Sequence, residues 1–406
     1  MKYIRNISRL LVGAVFIFSG FVKAIDPLGS KYKLIDYFQA FGTDFLDPLA
    51  LPLAILLSTI VLVIGISLVL KIRMREISWA VLVFMIFFTI ITLYLAIANP
   101  ISDCGCFGDA LIMTNWETFL KNCVLLALVF IIFYQRNLFV PSISKFTQWG
   151  VIGLAFIGSI GLSLYCLAHL PLLDFRPYKI GTNIPEKMEI PSDALKPKFK
   201  TVLFYKKDGE VKKFSADSLP DSSWKWVKTE TVQVQKGYVP PIHDFSVESI
   251  NNGADITDSV LTSNKAQFLI ISYDLSQISE VAEEKLSGLF QKVKQNNQGF
   301  LFLTASPPEE IQKFQDKTDA AYPFYYMDEI TLKTIIRSNP GLMVIQNGTN
   351  IGKWHYNDIP KISSLSAKPI AASLNEVRSN KSFLLITIYI LGFCLVISVF
   401  KILQKQ

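Results

Sequence analysis

"ISWAVLVFMIFFTIITLYLAIA", residues 77–98, contains no charged side chain, and it decides what kind of protein this is. At about 1.5 Å per residue, a helix of that length crosses the roughly 30 Å hydrocarbon core of a bilayer. Outward from it in both directions stand comparable apolar runs at Ile7–Ala24, Leu51–Leu70, Phe119–Tyr134, Trp149–Leu172 and Phe383–Lys401. Of 406 residues, 51% are hydrophobic and 30 are Phe, and the mean hydropathy is +0.37. That is too apolar for one soluble globule and too interrupted for a pure bundle, so the chain is read as a multi-pass membrane protein with a soluble part.

Charge placement orients the spans. Lys2, Arg5 and Arg9 flank the first run and Lys23 closes it, with no small-x-small cleavage pattern after it, so it is read as a retained span. "KIRMRE" at 71–76 and "YQRNLFVPSISK" at 134–145 are basic, whereas 99–118 holds Asp103, Asp109 and Glu117 without Lys or Arg. By the positive-inside rule the N-terminus, both basic loops and the tail "KILQKQ" are cytoplasmic. The 99–118 loop and the soluble part then face the periplasm across the inner membrane. The net charge of +7 fits the basic flanks and gives no reason to expect nucleic acid; membrane lipid is the expected surrounding.

Directly after the opening run comes "DCGCFGD", 103–109. There are five cysteines, and Cys104, Cys106, Cys123 and Cys166 fall in one outer layer, with Cys394 deeper. An extracytoplasmic face is where disulfides form and persist. Cys104 and Cys106 can close a small, strained, exchange-prone ring, since the glycine between them lets the backbone bend tightly. They can equally form a structural disulfide or stay as tolerated thiols. Structural zinc wants four ligands and no histidine is near in sequence; Cu(I) alone is conceivable, and no metal is assigned. Cys123 and Cys166 are secondary redox candidates, although a cysteine in an apolar helix usually packs as a small hydrophobe. Lys23 and Asp26 read as an interfacial ion pair, with Pro27 stopping the helix, or else as substrate-binding groups. Residues 29–42 have the spacing of an amphipathic surface helix.

The stretches "RLLVGAVFIFSGFVKAIDPLGSKYKLIDYFQAFG" (9–42) and "DCGCFGD…NWETFLKN" (103–122) together resemble the DoxX and MauE superfamily of four-helix membrane proteins, in its MauE-like branch of the Bacteroidetes type. The matching positions are Ser19, Gly20, Lys23, Asp26 and Pro27, then Cys104 to Gly108. The resemblance implies a periplasmic maturation factor of the methylamine-utilisation type, which handles a disulfide-rich client; DoxX relatives include a subunit of a thiosulfate:quinone oxidoreductase, so quinone is an implied cofactor. Relatives often carry an acid in the second helix just before a Gly. Here Val61 stands four positions before Gly65, which puts that acid's chemistry in doubt.

The soluble part runs from about Asp174 to Asn380. It opens with a Pro-rich extended entry, then "TVLFYKKDGEVKKF", a hairpin around Asp-Gly. From about 240 strands and helices alternate: strand 266–275, helix 278–297, strand 299–306, helix start 306–318 and a hairpin at 339–356. This order resembles the thioredoxin-like fold, with Pro340 at the family's cis-proline position. The thiol site of that family is missing: "SYDLSQISE" (272–280) has no cysteine, nor does any position between Cys166 and Cys394. His169, His243 and His355 have no metal-ligand spacing.

The expected architecture is a DoxX/MauE-like four-helix membrane domain (1–140), a fifth span (149–172), an extended β-rich subdomain (174–239), a thioredoxin-like domain (240–365) and a last span (383–401). Two functions compete. One is an envelope redox or maturation factor in which Cys104 and Cys106 exchange disulfides with a client or thiol partner, with electrons passing through Cys123 and Cys166 to quinone. The other is a non-enzymatic scaffold whose loop disulfide pins two helices.

Overall fold

A computed structural model of the chain describes residues 2–140, 143–196, 198–207, 209–215, 218–235, 237–318 and 321–359. The expected last span at 383–401, Cys394, the tail and the end of the domain expected to reach residue 365 lie outside the described residues.

Six long or medium helices come first: α1 (Lys2–Ile25), α2 (Pro27–Ala40), α3 (Ala50–Leu70), α4 (Met74–Ala98), α5 (Asn115–Tyr134) and α6 (Lys145–Ala168). All but α2 are long and apolar enough to cross a membrane, α3 together with the short turn of helix before it. Val12, Phe16, Val61, Ile64, Leu82, Met85, Leu125 and Val129 form one core shared by α1, α3, α4 and α5. Glycine lets α1 and α3 approach closely: a Cβ on Gly20 would stand 2.6 Å from the Leu62 nitrogen, and one on Gly65 2.6 Å from that of Ile17. α6 joins them through hydroxyls, with Thr59 and Ser159 3.0 Å apart and Ser163 donating to the Ala24 carbonyl at 3.1 Å.

Pro27 does not simply end α1. Asp26 breaks the helix for one residue, accepts from the Gly29 nitrogen at 2.9 Å, and Pro27 opens α2 at its first turn, where a missing N–H costs nothing.

The entry segment contributes α7 (Ile184–Met188), followed by β1 (Lys198–Lys207), β2 (Glu210–Ser215) and β3 (Lys225–Gln235). These strands form a separate antiparallel sheet in the order β2-β1-β3, and Gly209 takes a positive φ of 87° at the hairpin turn. Then come β4 (Glu248–Ser249), α8 (Thr257–Leu261), β5 (Gln267–Ser272), α9 (Glu280–Gln295), β6 (Gly299–Thr304), α10 (Pro308–Thr318), β7 (Phe324–Tyr326), α11 (Glu329–Ile335), β8 (Gly341–Gln346) and β9 (Thr349–His355).

The second sheet has the order β4-β7-β6-β5-β8-β9; β5, β6 and β7 are parallel, and β8 and β9 run antiparallel to them. Side chains alternate across it with period two. Phe268, Ile270, Phe302 and Val344 face α9 and α10, while Leu269, Ile271, Leu303 and Met343 face α11 and α8. The Asn339–Pro340 bond entering β8 is cis. That strand order with a cis proline before β8 is the thioredoxin-like arrangement. Tyr178 and Ile184 are buried in its second core, and Gly181 donates to the Asn350 carbonyl on β9. The start of the entry assigned to the β-rich subdomain therefore folds with this domain, because its apolar side chains find their burial there.

Candidate functional site

The site is built on the loop between α4 and α5. Asp103 accepts from the Gly105 nitrogen at 2.9 Å, and Gly105 sits at φ +65°, so the chain reverses within three residues. A Cβ at Gly105 would meet the Lys33 stem at 2.7 Å. This tight turn places the Cys104 and Cys106 sulfurs 3.2 Å apart, a contact between free thiols rather than a bond of about 2.05 Å. Cys104 is buried and Cys106 partly exposed.

α1 and α2 hold the turn by its carbonyls. Tyr37 donates to the Cys104 carbonyl at 3.0 Å, and Ser19 to that of Cys106 at 2.7 Å. The Lys23 ammonium donates to the same Cys106 carbonyl and to the Ser19 hydroxyl at 2.9 Å. Lys33 pairs with Asp103 at 3.2 Å. From α5, Lys121 lies over the Phe107 ring at 4.5 Å.

These neighbours drive the two thiols apart in acidity. The hydrogen bond from Cys104 lowers the Cys106 pKa, burial opposes, and the Lys121 and Lys23 charges add to the lowering. For Cys104 the same hydrogen bond, followed by burial, raises the pKa. One sulfur is thus the thiolate and the other its proton donor, the arrangement a dithiol needs to start exchange.

The structure separates the other candidates. Lys23 and Asp26 do not pair with each other: Lys23 turns to the cysteine loop, and Asp26 turns to Arg337, whose Nε lies 3.0 Å from both of its oxygens. The physical reason is a better partner from the far domain, a guanidinium that also reaches Asp109 at 3.1 Å. Cys166 is buried against Ala24, Ile25 and Leu162, and neither it nor Cys123 lines the cavity beside the dithiol. Pro340 lies three residues beyond Arg337, so the cis-proline loop is the part of the thioredoxin-like domain that docks on α2. Asn339 braces this corner, accepting from Ser272 at 2.8 Å and donating to the Asp274 carbonyl at 2.7 Å. Lys333 lies 5.1 Å from both the Tyr32 and Tyr273 rings. Arg337, Asp109, Ser19, Tyr37 and Lys121 carry no local sequence signal; distant contacts define them.

Beside the cysteines is a cavity of about 560 Å³ walled largely by apolar side chains of α1, α2, α3 and α4. Among the described residues no cluster of His, Cys, Asp and Glu could hold a metal ion.

Residues 1–135 match the family model of the methylamine utilisation protein MauE, and residues 199–236 match a domain of unknown function, DUF8463. Among solved structures, the solution structure of a candidate protein disulfide isomerase from Bacteroides thetaiotaomicron is similar at 16% identity and a TM-score of 0.24, covering 33% of this chain and 83% of that chain. The search of curated proteins found no match.

Proposed function

We propose that this membrane protein, whose first 135 residues are a MauE-type domain, is a thiol–disulfide oxidoreductase of the cell envelope acting in the maturation of a thiol-bearing client. The contact of a thiolate-prone Cys106 with its proton donor Cys104 carries the reading. Exchange passes through Cys106, the more exposed sulfur: one client sulfur and Cys106 form a mixed disulfide, and Cys104 and the second client thiol resolve it, so that two electrons and two protons move between client and pair. Stabilising the Cys106 thiolate stabilises the reduced pair, which makes the oxidised pair an oxidant toward the client.

Orientation follows from charge. Arg5 stacks over Phe139 at 4.9 Å, Arg9 reaches the Leu68 and Val69 carbonyls, and Arg73 bonds Gln148 at 2.9 Å, so these basic groups gather at the end of the bundle opposite the dithiol. The positive-inside rule makes that end cytoplasmic and puts the dithiol and the thioredoxin-like domain outside. The thiol-free domain, docked by its cis-proline corner, is the client-positioning element.

The test is capture of the exchange partner. In Cys104→Ser the resolving thiol is gone, and the reading predicts a reductant-sensitive adduct between Cys106 and an envelope protein, identified by mass spectrometry and missing in the double serine variant. Failure of Cys106 to form any mixed disulfide, even with glutathione disulfide added to purified protein, would leave the scaffold role instead.

A further inference from the structure

An oxidant that converts client thiols to disulfides must itself be reoxidised. Resting on the thiol–disulfide reading, the geometry points to the cavity as a binding site for a lipid-soluble quinone that takes the electrons of the Cys104–Cys106 pair.

Four observations carry this. First, the volume of about 560 Å³ falls within the roughly 300–1,000 Å³ that small-molecule sites occupy. Second, the walls suit a flat ring and a prenyl chain: Phe16, Phe38, Phe84 and Phe88 line them, and the Phe84 and Phe88 rings are 4.4 Å apart. Third, Phe87 lines the cavity and is also 57% exposed on the outer surface of α4, a membrane-crossing helix. An opening there faces hydrocarbon, so the visitor comes from the bilayer and not from water. Fourth, the other end of the cavity is polar and reactive, with both cysteines, the Ser19 hydroxyl and the Lys23 and Lys121 ammonium groups. Quinone oxygens are acceptors only, and that end presents donors.

The step balances as a two-electron exchange. The two thiols lose their protons, an Sγ–Sγ bond forms between Cys104 and Cys106, and two electrons and two protons reduce the quinone to the quinol. Cys123 and Cys166 are not needed as relays, because the dithiol itself lines the cavity. An acyl chain of a phospholipid would suit the apolar walls but would leave the donors unused and accept no electrons.

The experiment uses the full chain purified in detergent, reduced and freed of excess reductant, then mixed with ubiquinone-1. The expected result is one quinol per chain, read at the quinone absorbance, with loss of two thiols per chain and no quinol in either Cys104→Ser or Cys106→Ser. Leu57→Trp, which fills the cavity from α3, should slow quinol formation at least tenfold while exchange with glutathione disulfide continues at the normal rate. Binding is read separately with an azidoquinone photoprobe, which should label wall peptides of α1, α2 and α4 in wild type and in the double serine variant alike. Labelling scattered over the outer helix surfaces, or absence of quinol while glutathione disulfide still cycles the pair, overturns the quinone site and leaves the exchange reading standing. Failure of both acceptors overturns both. If Leu57→Trp does not fold, the wild-type stoichiometry and the photolabel map decide alone.

Discussion

A thiol of ordinary environment ionises near pH 8.5, and Cys106 falls below that because a hydrogen bond from Cys104 and two ammonium groups outweigh burial. The sign has two consequences. Alkylation of Cys106 should proceed at pH values where a free thiol is inert, with a midpoint below the ordinary value. And because its folded-state pKa is depressed, the thiolate stabilises the reduced fold above the ordinary thiol pKa, a contribution lost as pH falls through the lowered value. Cys104→Ala removes the first-ranked cause and Lys121→Met the next favourable one, so both should move the iodoacetamide midpoint upward, the former further. An unchanged midpoint in Cys104→Ala would mean that the sulfur–sulfur contact does not set the acidity. What could be read from the residues alone was the pair itself; its asymmetry could not, since Lys23 and Lys121 come from different helices.

At the scale of elements, the cysteine turn depends on one backbone conformation. Gly105 at φ +65° is where a side chain costs about 1–2 kcal/mol, and a new Cβ there also presses on the Lys33 stem that holds Asp103. Gly105→Ala should therefore lower the thermal midpoint by a few degrees and shift the Cys106 alkylation profile together with it; a stable variant with an unaltered profile would show that the turn does not set the thiol geometry. Much at this scale was legible. The uncharged run at 77–98 predicts α4, and the period-two pattern predicts the buried strands β5 and β6. The cis proline before β8 was legible from the hairpin that follows it. Pro27 was misread, because a proline ends one helix and starts the next with equal ease, and only the Asp26 cap distinguishes the two.

Across the whole molecule, one side chain ties the two halves together. Arg337 is 7% exposed and lies between Asp26 and Asp109, while His169 at the end of α6 meets Asp358 at 2.7 Å on the other flank. Removing one member of a fully buried pair costs about 3–5 kcal/mol. Asp109 keeps 43% of its side chain in solvent, so water replaces part of the lost contact and the cost of Arg337→Ala should fall below that range. The expected outcome is a looser dock: hydrogen exchange in α2 and around Pro340 rises, and maleimide labelling of Cys106 in the folded protein speeds up several-fold, with partial recovery in Arg337→Lys. Unchanged exchange and labelling would mean that other contacts hold the domain. No sequence pattern announces a contact between positions 26 and 337. Local spacing instead suggested Lys23 for Asp26, a neighbour one turn away, and the guanidinium's two-carboxylate geometry overrides it.

The measurement closest to the central claim is the redox state of the Cys104–Cys106 pair in intact cells, read by acid quenching and maleimide mass-tagging before a mild reductant, during it and through a reoxidation chase. The account predicts a pair that is oxidised at rest, opens within the reductant pulse and closes again during the chase. A pair that stays free throughout, or one that yields only after the protein is unfolded, would contradict it.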